Sequence, residues 1–477
     1  MDVRYDGDCS GVSIATHGAA MTSFDAIIIG AGQAGPSLAD RLTRAGMQVA
    51  LVERKLFGGT CVNTGCMPTK TLVSSAYAAH VVRRAAEYGV QTSSVTVDMK
   101  RVHARAAQVS ANARAGIEHW LRGMPGCTVI QGHARFESAT VLRVGEQLLS
   151  APKIFLNVGG RAIVPDFPGV RDLPLLTNTT VLDLDTVPEH LIVVGGSYVG
   201  LEFAQIFRRF GSQVTVVEKG PRIVSREDED VSVAIAEILE AEGIVLRTAA
   251  ECIRLAKHAG GIEVQVSCAE GEPSVIGTHV LLAVGRRPNT DDLGLDRAGV
   301  LTDPRGYVVV DDFLATSVAG IWALGDCNGR GAFTHTAYND FEIVAANLLT
   351  AEQRRVSDRI PAYALYVDPP LGRVGLTEAQ ASASGKKILI GRRPMTKVGR
   401  AVEKGETRGF MKIIVDANTQ RIVGASILGV GGDEAIHGVI DVMNANVPYT
   451  TLQRAVPIHP TVSELIPTML GELQPAL

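Results

Sequence analysis

Short apolar runs and amphipathic stretches alternate along the first two thirds of the chain. The segment at 24–54 reads FDAIIIGAGQAGPSLADRLTRAGMQVALVER, which is an apolar run, a glycine-rich turn, a helical stretch and a second apolar run. The segment at 191–219, LIVVGGSYVGLEFAQIFRRFGSQVTVVEK, repeats this order. Continuous apolar runs are typical of parallel strands that are buried on both faces. The pattern therefore predicts two β-α-β units and a fold of the α/β class.

Both units carry glycines at a defined spacing, and each second apolar run ends in a glutamate. The residues are Gly30, Gly32, Gly35 and Glu53 in the first unit and Gly195, Ser197, Gly200 and Glu218 in the second. The first glycine permits a tight turn, the second lets backbone approach a pyrophosphate, and the third lets helix pack on strand. The acid accepts a hydrogen bond from a ribose 2′-hydroxyl. The sequence predicts two dinucleotide sites, and we expect Ser197 to be tolerated because serine is small.

A third motif follows much later in the chain. The segment ATSVAGIWALGDCNGRG, at 315–331, contains an apolar run that ends in Gly325 and Asp326. A carboxylate at the carboxyl end of a parallel strand can accept a hydrogen bond from a ribityl hydroxyl of a flavin, and the alternative is an ordinary turn aspartate. After about residue 357, short strand-like runs such as FMKIIVD alternate with helical stretches, which predicts a separate α+β domain.

Composition narrows the class of function. The net charge is −4, and the basic residues are scattered, so we expect no nucleic-acid partner. No apolar run reaches the roughly 20 residues of a membrane helix, so we expect no membrane partner. The first 20 residues lack the features of a signal peptide, and we expect a disordered extension or an upstream start there, with a regulatory tail as the alternative.

Seven cysteines occur in the chain, and five of them are widely spread. An odd, scattered set does not match a secreted disulfide framework, so we expect a reducing, cytoplasmic location. The exception is GGTCVNTGCMPTK, at 58–70, in which Cys61 and Cys66 are followed by Lys70. Closing so short a loop stabilises little, whereas a neighbouring cation and a helix start favour thiolate. Zinc would need two further ligands that are not nearby, so we predict a redox pair and no metal site.

These motifs, together with GRRPN, ALGD and HPTVSE in the same order, resemble the class I flavoprotein disulfide reductases over about residues 24–470. That family includes dihydrolipoyl dehydrogenase, glutathione reductase, mercuric reductase and the reactive-chlorine-resistance flavoproteins. The resemblance implies two Rossmann-like domains, for FAD and NAD(P), and a C-terminal α+β dimerisation domain. The implied bounds are 21–167 and 288–356 for the FAD-binding and central domain, 168–287 for the NAD(P)-binding domain, and 357–477 for the dimerisation domain.

The resemblance also implies roles for individual residues. Cys66 would lie against the flavin, and Cys61 would meet the substrate. Lys70 would pair with Glu202 near the flavin, and Tyr198 would gate the nicotinamide pocket. His459 would be the acid–base residue, oriented by Glu464. Cofactor binding is assigned to Gly30, Gly32, Gly35, Glu53, Thr60, Lys70, Ala134, Gly159, Asp326, Gly195, Tyr198, Gly200, Glu218 and Gly285.

The partners follow from the same resemblance. We expect a homodimer with one tightly bound FAD per chain and His459 acting on Cys61 of the other chain. Because Glu218 would repel a 2′-phosphate, we expect NADH to be preferred over NADPH. Lys219 and Arg222 lie close in sequence and leave NADPH open.

Departures from individual members of the family bear on the electron acceptor. Asp40 and Glu342 stand where glutathione reductases carry arginines, which disfavours glutathione disulfide. No cysteine follows Cys327, so the C-terminal pair of mercuric reductases is missing, and Pro457 departs from dihydrolipoyl dehydrogenases. We predict an FAD-dependent NAD(P)H:disulfide oxidoreductase that acts on a small disulfide or other small molecule. The alternatives are a mercuric-reductase-like reductase of Hg(II) or Cu(II), dihydrolipoyl dehydrogenase, and a non-catalytic flavin redox sensor or scaffold.

Overall fold

The structure is a computed structural model that describes residues 21–269 and 271–476. The extension expected at 1–20 lies outside the described residues. In the described part of the chain, no helix has both the length and the apolar character that a membrane crossing requires.

The N-terminal part contains the first β-α-β unit. Its elements are, in order, β1 (Met21–Ser23), β2 (Ala26–Ile29), α1 (Ala34–Arg44), β3 (Val49–Glu53), α2 (Gly59–Thr64), α3 (Cys66–Arg83), α4 (Met99–Arg122), β4 (Cys127–Gln131), β5 (Ala134–Ser138), β6 (Val141–Val144), β7 (Gln147–Ser150), β8 (Ile154–Leu156) and β9 (Gly160–Ala162). Every residue of β2 and β3 is buried. Burial on both faces explains why these strands are continuous apolar runs in the sequence.

The second β-α-β unit follows an irregular segment. Its region contains β10 (His190–Val194), α5 (Tyr198–Phe210), β11 (Gln213–Val217), α6 (Glu229–Ala241), β12 (Val245–Arg247), β13 (Ala250–His258), β14 (Gly261–Cys268), β15 (Ser274–Gly277), β16 (His279–Leu282) and β17 (Arg286–Pro288). The next elements are α7 (Leu295–Ala298), β18 (Ile321–Ala323) and α8 (Thr334–Leu349). The strand before each glycine-rich turn and the helix after it therefore occur where the pattern predicts them.

Two parallel sheets carry the two units. The first has the strand order β18-β8-β2-β3-β4, and the second has the order β12-β11-β10-β16. Strands β8 and β18 are neighbours in the first sheet although the whole second unit lies between them in sequence. Strands β9 and β17 pair in an antiparallel ribbon at the same junction. The second unit is therefore an insertion into the first.

Two small sheets were not anticipated from the sequence. One is the antiparallel sheet β13-β14-β15, and the other has the order β1-β7-β6-β5, in which β1 is parallel to β7. Each has many exposed positions. Such half-exposed strands lack the long apolar runs that mark the central sheets.

The C-terminal part forms a six-stranded sheet in the order β19-β20-β23-β22-β21-β24, antiparallel in each of its strand pairs. Its elements are β19 (Ala362–Leu365), β20 (Leu371–Gly375), α9 (Glu378–Ala383), β21 (Ile388–Pro394), α10 (Gly399–Glu403), β22 (Phe410–Asp416), β23 (Arg421–Leu428), α11 (Gly432–Ala435), α12 (His437–Asn444), α13 (Thr450–Gln453), α14 (Ile466–Leu470) and β24 (Gln474–Pro475). The predicted fold class, two Rossmann-like domains followed by an α+β domain, is confirmed.

Candidate active site

The two close cysteines lie on either side of a break between helices. Helix α2 ends at Thr64, and α3 begins at Cys66. A side chain on Gly65 would bring its Cβ within 2.9 Å of the Thr60 carbonyl oxygen, so glycine allows the two helices to join this closely. Both Cys61 and Cys66 carry free thiols in the structure.

The pKa values of the two thiols are shifted in opposite directions. The hydrogen bond that Cys66 receives from the Cys61 thiol lowers the pKa of Cys66 to about 6, against the opposing effect of burial. The Thr334 hydroxyl, 3.2 Å from the Cys66 sulfur, and the charge of Lys70 lower it further. Because Cys61 is the donor in this pair and is also buried, its own pKa is raised. The proton therefore stays on Cys61, and Cys66 is the thiolate at neutral pH.

An ion pair lies one helical turn beyond Cys66. Lys70 Nζ is 2.5 Å from Glu202 Oε2, and the Glu202 side chain is 8% exposed. The backbone NH of Tyr366 donates to Glu202 Oε1 at 3.0 Å, and Lys70 lies 4.6 Å from the centre of the Tyr366 ring. Since Glu202 belongs to α5 and Lys70 to α3, this pair joins the two β-α-β units. These two residues are the ones that the family resemblance pairs.

The first glycine-rich turn is closed by backbone contacts. Gly30 has φ +106°, and a Cβ there would lie 2.3 Å from the Asn157 carbonyl oxygen. A Cβ on Gly35 would lie 2.3 Å from the carbonyl oxygen of Gly30. Only glycine fits both positions. At the end of β3, Glu53 accepts from the backbone NH of Ala31 and, with its other oxygen, from that of Lys55, at 2.8 and 2.7 Å.

The second turn repeats this geometry at equivalent positions. Gly195 has φ +115°, and a Cβ on Gly200 would lie 2.2 Å from the Gly195 carbonyl oxygen. Glu218 accepts from the backbone NH of Gly196 and from that of Gly220, both at 2.6 Å. Ser197 has φ −110° and ψ −176°, an extended conformation that any residue can adopt. The missing middle glycine is therefore compatible with the turn.

Residues around the first turn fit a flavin dinucleotide. Gly59 has φ +61°, and a Cβ there would lie 2.8 Å from the Gly32 Cα atom, so two backbone segments lie edge to edge beside the turn. Gly159 has φ +64° and open space where a side chain would be. Burial raises the pKa of Asp326, and the charge of Arg286, 3.7 Å away, opposes that shift. A partly buried carboxylate of this kind suits a ribityl hydroxyl.

Three further predicted cofactor residues lie in this region of the fold. The Thr60 hydroxyl is 3.5 Å from the Arg286 guanidinium, which also donates to the Gly160 carbonyl. Ala134 is buried on β5. Gly285, with φ +127°, lies between β16 and β17.

Two residues that the sequence analysis did not single out support the site. Asp340 on α8 is 2% exposed, and its Oδ2 accepts from the Gly325 backbone NH and the Asn328 side chain at 2.8 and 2.9 Å. It thereby fixes the turn that carries Asp326. Thr334, at the start of α8, is the second residue. No local pattern marks either one, because their partners are distant in sequence or lie on another element.

His459 and Glu464 form a pair of their own. His459 Nδ1 is 2.8 Å from Glu464 Oε2, and the histidine side chain is 80% exposed. Within the described chain, no hydrogen bond links this pair to Cys61 or Cys66. The neighbouring apolar side chains of Val456 and Ile458 are also exposed, at 97% and 80%. The structure of one chain thus brings Cys66, Thr334, Lys70 and Glu202 together and leaves His459 apart.

Known proteins match almost the whole chain. Residues 24–340 match the family described as pyridine nucleotide-disulphide oxidoreductase, and residues 361–470 match the dimerisation domain of that family. The probable pyridine nucleotide-disulfide oxidoreductase RclA of Escherichia coli (strain K12) is 38% identical over 453 residues, which cover 93% of this chain and 98% of the relative.

A second relative and a solved structure extend the comparison. A mercuric reductase of Streptomyces lividans is 32% identical and covers 94% of this chain and 95% of its own length. The solved structure "Cu(II) complex of HOCl-induced flavoprotein disulfide reductase RclA from Escherichia coli" superposes with a TM-score of 0.87 at 37% identity, covering 95% of this chain and 100% of that one.

Proposed function

The chain belongs to the pyridine nucleotide-disulphide oxidoreductase family, whose members are FAD-dependent oxidoreductases that use NAD(P)H, and from this premise we propose that it reduces a small disulfide through Cys61 and Cys66. The observation that carries the proposal is the pair of free thiols with opposite pKa shifts, Cys61 on α2 and Cys66 at the start of α3. A sensor or scaffold would not need one thiol with a lowered pKa beside one with a raised pKa. The direct test is steady-state NAD(P)H oxidation with a panel of acceptors.

The reaction oxidises NAD(P)H, consumes one proton and one disulfide, and yields NAD(P)⁺ and two thiols. When bound, FAD would supply the two-electron relay between NAD(P)H and the Cys61–Cys66 disulfide. Cys61 then attacks one sulfur of the substrate as a thiolate, and the first thiol leaves. The Cys66 thiolate attacks the Cys61 sulfur, which restores the Cys61–Cys66 bond and releases the second thiol.

The raised pKa of Cys61 makes a base necessary for this attack. Cys61 holds its proton, whereas the reactive species is the thiolate. We assign the base to His459, because Glu464 contacts its Nδ1 and leaves Nε2 for the thiol. We assign Lys70 and Glu202 to the flavin side of Cys66, where the lysine charge supports the thiolate.

The chain carries a dimerisation domain, and we propose that the active unit is a homodimer in which His459 serves Cys61 of the other chain. The exposed Val456, Ile458 and His459 support this proposal, since a second copy would cover them.

We propose the domain bounds given by the sequence, which are 21–167 with 288–356, 168–287 and 357–477. The insertion between β8 and β18 supports the split first domain. The odd number and wide spread of the cysteines support a reducing compartment, the cytoplasm, as the location.

Reduction of a metal ion is the second candidate. One similar structure is described as a Cu(II) complex, and one relative is a mercuric reductase. In the described part of this chain, no group of three or more histidine, cysteine or acidic side chains could hold a metal ion. Cu(II) or Hg(II) would therefore meet the two thiols as a substrate. The acceptor panel should include both ions, lipoamide and small disulfides.

We expect NADH to be preferred over NADPH, with kcat/KM at least about tenfold higher, because Glu218 would repel a 2′-phosphate. The nearby cations are already engaged. Lys219 pairs with Glu251 at 2.7 Å, and Arg222 donates to the backbone carbonyl of Glu227 at 3.2 Å. Steady-state kinetics with both nucleotides measures the ratio, and Glu218→Ala should reduce it. A higher kcat/KM for NADPH in the wild-type protein would contradict this assignment.

We expect glutathione disulfide to be a poor substrate, with kcat/KM at least about a hundredfold below that of 2-hydroxyethyl disulfide. Asp40 and Glu342 stand where cations would hold its carboxylates. Asp40 pairs with Arg44 at 2.9 Å, and Glu342 accepts from Asn339 at 3.0 Å. Measuring kcat/KM for both disulfides in one buffer tests the charge argument. A variant with both Asp40→Arg and Glu342→Arg should bring the two kcat/KM values closer together. Efficient reduction of glutathione disulfide by the wild-type protein would overturn the charge argument.

A further inference from the structure

Tyr198 stands between the second glycine-rich turn and the thiol site. It is the first residue of α5 and precedes Glu202 by one helical turn, so both side chains lie on the same side of the helix. Glu202 contacts Lys70, and Lys70 is one turn from Cys66 on α3. A nucleotide held at the turn would therefore meet the Tyr198 side chain on the side of α5 that faces Lys70.

A buried carboxylate holds the Tyr198 hydroxyl. Glu227 Oε1 accepts from Tyr198 at 3.0 Å and from Tyr363 at 2.6 Å, and the Glu227 side chain is 0% exposed. The rings of the two tyrosines lie 5.6 Å apart. Tyr363 also stacks on Phe333 at 5.4 Å, which immediately precedes the Thr334 that contacts Cys66. Both tyrosines are half-buried, but Tyr363 is additionally anchored by its ring, whereas Tyr198 lies at the nucleotide turn.

A buried guanidinium faces the other oxygen of this carboxylate. Arg373 on β20 is 1% exposed, and its Nε lies 3.8 Å from Glu227 Oε2. Among the described residues, neither that oxygen nor any guanidinium nitrogen of Arg373 has a hydrogen-bond partner. A charge pair buried without hydrogen bonds leaves much of its possible interaction unmade. A shift of about 1 Å would bring it to the distance typical of charge-assisted hydrogen bonds.

We propose that Glu227 is a positioning residue for the nicotinamide gate, and that its carboxylate exchanges the Tyr198 hydroxyl for Arg373 when the gate opens. The closed state has the Tyr198 bond and a loose Arg373 pair, and the open state has the tight Arg373 pair. The exchange compensates for the lost Tyr198 bond by tightening the Arg373 pair on the other carboxylate oxygen, so opening does not leave the buried charge without a close partner. This inference rests on the proposed function, since it takes Tyr198 to cover the nicotinamide site.

The first test is Tyr198→Phe, which keeps the ring and removes only the hydroxyl that Glu227 holds. NAD⁺ binding to the FAD-loaded protein is measured by isothermal titration calorimetry. Because the closed state competes with nicotinamide, the variant should bind NAD⁺ about tenfold more tightly. Tyr363→Phe is the matched control, since it removes the other hydroxyl from the same oxygen, and its affinity should not increase. Unchanged or weaker binding by Tyr198→Phe would overturn the proposal, as would equal tightening by Tyr363→Phe.

A second set of variants tests whether Glu227 acts through Tyr198. Glu227→Leu, which removes the acceptor for the Tyr198 hydroxyl, would alone leave Arg373 buried and uncompensated, so it is combined with Arg373→Met. This double variant should also bind NAD⁺ about tenfold more tightly, and adding Tyr198→Phe should give no further gain. If the triple variant instead gained affinity equal to the product of the two separate gains, the proposal that Glu227 acts through Tyr198 would be rejected. If the wild-type protein binds no NAD⁺ and reduces no disulfide, the proposed function itself fails, whereas normal binding without these shifts rejects only the role of Glu227.

Discussion

Cys61→Ser and Cys66→Ser are each expected to lower disulfide reduction by about a thousandfold or more, because each removes one sulfur of the exchange. The two variants should differ in their spectra. Cys66 carries the thiolate, so Cys61→Ser protein with oxidised flavin should show the long-wavelength charge-transfer absorbance of a thiolate beside the flavin. Cys66→Ser protein should lack it. Anaerobic absorbance spectra of the two variants, recorded before NADH is added, measure both.

The pH dependence of this absorbance is a further check on the same assignment. The pKa of Cys66 is lowered to about 6, so the thiolate is present above that pH and becomes protonated below it. In the reduced wild-type protein, the band should therefore fade as the pH falls through about 6. Cys127→Ser is a matched control, because burial raises the pKa of that thiol to about 11, and the band should be unaffected. Loss of the band in Cys61→Ser but not in Cys66→Ser would reverse the roles.

The second large effect is expected for His459→Ala, which should lower turnover by about a hundredfold to ten-thousandfold because Cys61 then keeps its proton. Hybrid dimers can show whether the base comes from the other chain. When a Cys61→Ser chain and a His459→Ala chain carry different tags, tandem purification isolates the hybrid. If His459 acts across the dimer, one of the two sites is intact, and about half of wild-type turnover should return.

The matched control for this experiment is a hybrid of a wild-type chain with a chain that carries both substitutions. Like the test hybrid, this control dimer contains one Cys61→Ser and one His459→Ala substitution, but both are in the same chain. If the base acts across the dimer, neither site is intact, and the control should be nearly inactive. An active control together with an inactive Cys61→Ser and His459→Ala hybrid would place His459 in the same chain as its thiol.

The β-α-β units illustrate what local sequence can specify. Gly30 and Gly195 have positive φ, and Gly35 and Gly200 lie against backbone, so only glycine fits these positions. Because each of these requirements involves residues that are close in sequence, the glycines recur at a spacing that can be recognised in the sequence. The antiparallel sheet β13-β14-β15 left no comparable mark because its strands are partly exposed and lack long apolar runs. The resemblance to a family supplied the expectation that Lys70 and Glu202 pair, although they are far apart in sequence.

The sequence by itself determined the fold class, the two dinucleotide turns and the close cysteine pair, since each depends on residues near one another in the chain. The tertiary structure decided which distant groups meet. It placed Thr334 on Cys66, Asp340 behind the turn of Asp326, and Glu227 between Tyr198 and Arg373. These contacts depend on how the parallel sheets and the C-terminal sheet lie against one another. No periodicity or spacing records that arrangement, because burial and hydrogen bonding between elements act on residues whose separation in sequence is arbitrary.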